Sequence, residues 1–156
     1  MVVITAGGEV LLMRRCRPAG FWQSVTGSLE WGETAPQAAA RELYEETGLR
    51  AGGRLIDLRR KVRFPIVGPW RARYAPDRHW NLEHAYALLL PHRRLIRLAP
   101  GEHREYRWLP WPQAARRATS WSNREAIVLL GEGLFGVRKR FEGSASVPSR
   151  RYTRRT

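Results

Sequence analysis

Cysteine is nearly absent: Cys16 stands alone among 156 residues. No internal disulfide can form, and no metal site can be built on clustered thiolates. Any metal must therefore be held by oxygen or imidazole nitrogen. Such scarcity fits a reducing compartment, so a cytoplasmic location is expected. Lysine is almost as rare, with Lys61 and Lys139 its two occurrences. No apolar run approaches the roughly 20 residues a membrane-spanning helix needs. Residues 1–8 lack the charged segment and long apolar run of a secretory leader. No membrane partner is expected.

What abounds is arginine. The chain carries 28 basic residues against 14 acidic ones, a formal net charge of +14. Such an excess gains affinity for polyphosphate chains by releasing counterions, which makes a basic nucleic-acid-binding protein one reading. Against it, arginine in place of lysine beside abundant Ala, Gly and Pro marks a GC-rich coding bias. Basic runs are also commonly solvated surface. Length and a hydrophobic share of 43% fit one domain with a real core.

Period and punctuation place strands at residues 2–5, at Glu9–Arg15 after the Gly7-Gly8 turn, and at 21–26, 54–64, 82–90 and 104–109. Helices are expected at 34–47, 112–117 and 122–130. Thr34 and Gln37 form a capping box, Pro36 falls in the first turn, and Gly48 supplies the stop. Ser122 and Glu125 suggest a second box. Strands interleaved with helices argue for an α/β domain over residues 1–131, with a mixed sheet flanked by helices. Beyond Gly131 the apolar period fades into Gly, Ser and Arg, so residues 132–156 are expected to form a basic, disordered tail.

The informative feature is a local acidic island. Between Gly27 and Leu49 lie Glu30, Glu33, Glu42, Glu45 and Glu46 against a single Arg41. On a helix, Glu42, Glu45 and Glu46 share one face, away from the N-terminus where the dipole would favour them. Like charges so placed destabilise a helix by about 0.2–0.5 kcal/mol per pair. Something cationic must offset this, either arginine side chains or a hard divalent ion such as Mg2+ or Mn2+. A solvated, salt-bridged helix face and a metal site both satisfy the pattern.

The spacing narrows the choice. Gly27 is followed after five residues by Glu33, then after seven by Arg41-Glu42-Leu43-Tyr44-Glu45-Glu46-Thr47-Gly48-Leu49. This run resembles the signature of the Nudix hydrolases at every fixed position. The resemblance implies a Nudix-type α/β/α sandwich and divalent-metal-dependent cleavage of a phosphoanhydride in a small-molecule substrate. It implies that Glu33 pairs with Arg41, which braces the neighbouring carboxylates. Glu42 and Glu46 then bind the metal with Glu45 close by. Glu33, Arg41 and Glu45 are thereby assigned to the catalytic apparatus.

The likeness extends past the box. The run FWQSVTGSLEWGETAPQAAARE, RYAP at 73–76 and SWSNREAI at 120–127 are similar to the bacterial branch acting on dihydroneopterin triphosphate. Thr26-Gly27-Ser28 replaces the more common Pro-Gly-Gly. This implies release of pyrophosphate and the pterin monophosphate. The alternative is a general (deoxy)nucleoside triphosphate pyrophosphohydrolase, acting on dATP or damaged nucleotides.

The resemblance also implies substrate contacts at Arg15, Thr26, residues 64–67 including Phe64, and Ser120, with Glu102 as a third metal ligand. From the residues alone, each has an ordinary alternative. Arg14 competes with Arg15, because neighbours on a strand face opposite ways. Thr26 can be structural, Phe64 can be core, and Ser120 can serve helix capping. Glu102 can pair with Arg104 or Arg97, and Glu105 is a nearby carboxylate of equal charge. Trp22 is the tryptophan placed for ring contact. His79, His84, His92 and His103 show no metal-ligand spacing and receive no role. Oligomeric state is not set by the sequence.

Overall fold

Two short apolar runs near the start establish the layers. In β1 (Val2–Thr5) and β2 (Glu9–Arg15), successive side chains face opposite sides of the sheet. Val2, Ile4, Val10 and Leu12 enter one core, and Val3, Leu11 and Met13 enter the other. Strands apolar on both faces need cover on both, which makes three layers. A computed structural model describes residues 1–66, 68–73 and 75–136. After β2 come β3 (Trp22–Gln23), α1 (Ala35–Thr47), β4 (Ile56–Pro65) and β5 (Trp80–Leu90). Then follow β6 (His103–Pro110), α2 (Trp111–Arg117) and α3 (Trp121–Gly131).

The sheet runs β3-β2-β1-β5-β4, with β6 also pairing β2. β1 and β5 are parallel, whereas β2 with β1, β3 and β6, and β4 with β5, are antiparallel. The mixed sheet of the sequence reading is therefore present. On one face, Ala114, Ala115, Ala126, Ile127 and Leu130 of α2 and α3 close the first core. On the other, α1 contributes Leu43. The outer strand β4 carries Arg59, Arg60, Lys61 and Arg63, charges that discourage pairing with another sheet.

α1 starts and stops as its sequence predicts. The Thr34 backbone N–H donates to Gln37 Oε1 at 2.9 Å, and Gly48 closes the helix at φ +74°. Three expectations need correction. Only Trp22 and Gln23 of residues 21–26 form strand, because the Ser24 N–H donates to Asn123 Oδ1 (3.1 Å) and the Thr26 N–H to Glu46 Oε2 (3.3 Å). The supposed capping box at Ser122 lies inside α3, whose N-cap is Ser120. Ser122 instead donates to Glu83, and Glu125 pairs with Arg60.

The third concerns the far end of the domain. A π-helical turn, Glu132–Gly136, continues α3 past the expected boundary. Phe135 packs its half-buried ring against the first core, where it covers Gly8. The expected tail from residue 137 onward lies outside the described residues. Phe135→Ala should destabilise the fold by about 1–2 kcal/mol and lower the thermal midpoint by on the order of 5 °C. A calorimetric scan checks this, and an unchanged midpoint would remove the turn from the domain.

Candidate active site

The acidic face of α1 is organised by Arg41. Its Nε and Nη2 grip the two oxygens of Glu33, both at 3.0 Å, and Nη2 also donates to Ser28 O at 2.9 Å. Nη1 reaches Glu42 Oε1 at 3.0 Å and Glu45 Oε2 at 2.9 Å. A planar fork suits this task, since its donors diverge in fixed directions. These bonds raise the Arg41 pKa and hold the Glu33 carboxyl below its ordinary value. The loop ahead of α1 is thus tied to the helix. Gly27 completes the joint: a Cβ there would overlap the carboxylate of Glu42.

Glu46 is treated differently. It is 1% exposed, receives the Thr26 N–H on Oε2, and leaves Oε1 buried without a partner among the described residues. Burial, reinforced by Glu42 and Glu102, pushes its pKa up to about 8. Burial likewise raises Glu42 despite its bond to Arg41. Of the two offsets weighed from sequence, arginine accounts for Glu33, Glu42 and Glu45. It leaves Glu46 uncompensated.

Glu102 lies just ahead of β6, where the turn at Gly101 brings it over the helix. Ligand atoms of Glu46, Glu102 and His103 lie within 4.8 Å of one another. An orphaned buried carboxylate oxygen beside a second carboxylate and an imidazole is a donor set that fits a divalent ion. The surface-pair alternative for Glu102 does not occur: Arg104 donates to Cys16 O (2.7 Å), and Arg97 lies over the Tyr44 ring. Glu105 faces elsewhere, bound to Arg107 at 2.6 Å and Arg14 at 3.5 Å.

That pairing also separates the two arginines ending β2. Arg14 stands opposite Glu105, whereas a register shift brings Arg15 opposite His103 at the site. His103, given no role from sequence, belongs to this cluster. It is 4% exposed, its Nε2 lies 3.4 Å from Gln23 Nε2, and its Nδ1 is buried without a partner among the described residues. Burial and the nearby Arg15 lower its pKa, which favours the neutral imidazole. The Thr26 hydroxyl accepts from Gln23 Nε2 at 2.8 Å. Thr26 therefore both orients Glu46 and borders the cluster.

Phe64 and Ser120 lie elsewhere, around the N-terminus of α3. Phe64 meets Trp121 edge to face, with ring centroids 6.5 Å apart. The Ser120 hydroxyl shares a 2.9 Å hydrogen bond with Ser122 and makes no side-chain cap. Trp22, the tryptophan singled out for ring contact, is buried in the first core, with the guanidinium groups of Arg107 and Arg117 stacked near its ring.

Comparison with known proteins agrees with this geometry. Residues 1–130 match the model of the NUDIX domain. Over 122 residues the chain is 49% identical to dihydroneopterin triphosphate diphosphatase of Escherichia coli (strain K12), covering 76% of this chain and 80% of that protein. It is 32% identical over 127 residues to the Haemophilus influenzae protein of the same name, covering 76% of each. A stretch of 51 residues is 45% identical to oxidized purine nucleoside triphosphate hydrolase of Danio rerio, covering 31% of this chain and 33% of that protein. The solved structure of the E. coli dihydroneopterin triphosphate pyrophosphohydrolase superimposes with a TM-score of 0.74, covering 88% of this chain and 93% of that one.

The state of Glu46 has a measurable consequence. Its folded pKa lies above its ordinary 4.5, so between 4.5 and about 8 the folded chain holds a proton the unfolded chain has lost. Metal-free stability should therefore be fully present below that window and fall as pH rises through it. Glu46→Gln should flatten the profile. Chemical denaturation in a chelating buffer across this range checks the sign, and stability rising over the window would contradict it.

Proposed function

The chain belongs to the NUDIX family, and from that premise we propose that it hydrolyses dihydroneopterin triphosphate to the monophosphate and pyrophosphate. The observation that carries the substrate is the 49% identity to the E. coli enzyme of that name. Nudix hydrolases depend on a divalent metal. Glu42, Glu46 and Glu102 would hold the ion, Mg2+ or alternatively Mn2+, with His103 at their side. When bound, such an ion neutralises charge on the triphosphate and lowers the pKa of attacking water.

The protein's own groups then have distinct tasks. Arg41, with Glu33 and Glu45 on its two sides, fixes Glu42 and the loop that carries Thr26. This is a positioning role, since every donor of Arg41 is already directed at the protein. Arg15 offers a guanidinium to the phosphates beside His103. Phe64 and Ser120 bound the ring end of the substrate. The stretch resembling the Danio rerio enzyme favours a second reading, pyrophosphohydrolysis of nucleoside triphosphates such as dATP. A nucleic-acid-binding role finds no support in a cluster of intact, uncompensated carboxylates.

Product analysis across a panel of triphosphates decides between these readings. Pyrophosphate formed fastest from dihydroneopterin triphosphate supports the first, and turnover of dATP with the pterin untouched overturns it. Salt-sensitive nucleic-acid binding without turnover would revive the last. For the ligand set, Glu102→Gln should lower turnover by at least about tenfold and raise the Mg2+ needed for half-maximal rate. Glu105→Gln should change either by less than about twofold, because it holds a surface pair. If the two variants behave alike, Glu102 is wrongly placed.

A further inference from the structure

Glu83 is an anomaly of charge. It sits on β5, half-buried, in a chain with twice as many basic as acidic residues. Yet among the described residues no arginine or lysine pairs with it. Its one hydrogen bond there is from the Ser122 hydroxyl, at 3.2 Å. Two basic side chains of neighbouring β4 are engaged elsewhere, Arg60 with Glu125 and Arg63 over the ring of Trp80. A half-buried carboxylate is costly to leave so lightly satisfied, and such groups concentrate where a ligand completes them.

Its surroundings say what kind of ligand. Glu83 shares a sheet face with Ala85 and Ala87, the face that α3 covers. Opposite it on β4 is Val62, and two residues further is Phe64, whose ring meets Trp121 of α3. The carboxylate therefore stands beside an aromatic pair, one ring half-buried and the other 51% exposed. It also stands at the end of β1 nearest the metal cluster, on the other face of the sheet. The Met1 amino group, held by Val25 O at 2.6 Å, lies within electrostatic reach of both Glu83 and Glu46. The two carboxylates thus flank the same end of β1, one on each side of the sheet.

We propose that Glu83 reads the heterocycle of the substrate, accepting paired N–H groups from a 2-amino-4-oxo ring lodged against Phe64 and Trp121. This deepens the proposed function and rests on it for the position of the triphosphate. A pterin presents its exocyclic amino group and the adjacent ring N–H side by side, and guanine does the same. Two parallel donors match the two oxygens of a carboxylate. Adenine places a ring acceptor next to its amino group and cannot make the pair. Ser122, fixed by Ser120, holds the carboxylate in orientation.

The test compares the parent chain and Glu83→Gln on dihydroneopterin triphosphate, dGTP and dATP at saturating Mg2+. kcat/KM for the first two should fall by on the order of 10- to 100-fold, and for dATP by less than about threefold. An equal fall on all three, or none on any, overturns the assignment. A parent chain inert toward the pterin overturns the proposed function, and the dGTP–dATP contrast then decides Glu83 alone. If Glu83→Gln fails to give a cooperative melt, Glu83→Asp replaces it. That variant keeps the charge but withdraws it by one methylene, and should lose the same selectivity.

Discussion

A guanidinium has five N–H groups, and in Arg41 all five are used: Nε and Nη2 on Glu33, Nη2 on Ser28 O, and Nη1 on Glu42 and Glu45. The loop ahead of α1 and the acidic face of the helix are fastened to each other through this one group. Its saturation also leaves Glu46 out. That residue is turned inward beside Leu43, meets a single backbone donor, and keeps one oxygen without a partner among the described residues. A local rule of stability is broken at one point while its neighbours are fully satisfied, the usual mark of a working site.

The three-layer fold lays this helix on a sheet whose order is set by the parallel pairing of β1 with β5 and the long β2–β6 ladder. Glu102 arrives from the turn before β6, Arg15 from the end of β2, and Thr26 from the loop after β3. On the opposite face of the sheet, α3 brings Ser122 and Trp121 against Glu83 and Phe64. The carboxylates near Glu46 suit a cation and its phosphates. The single carboxylate at Glu83 suits a ring rich in N–H donors. Charge of one sign serves two different recognitions because the company differs.

What the sequence made legible was local. Gly27, Glu33 and Arg41 lie close in the chain, and their relation depends on one loop and two helical turns. The α1 capping by Thr34 and Gly48 was legible for the same reason. Long-range register was not. His103 shows no ligand spacing because its neighbours come from α1, β2 and β3, and a register shift decides which arginine it meets. Ser122 and Glu125 have the spacing of a capping box, but Ser120 takes the cap position while Glu83 and Arg60 claim the two side chains. Phe135 was lost in a polar stretch because its packing partner, Gly8, lies at the other end of the domain.

The central claim is that Glu46 is held neutral until a cation replaces its proton. Titration calorimetry of Mg2+ or Mn2+ at pH 7, in two buffers of different ionisation enthalpy, counts the protons released on binding. With the Glu46 pKa at about 8, close to one proton should leave per ion bound, and none from Glu46→Gln. Binding without proton release in the parent chain would contradict the account.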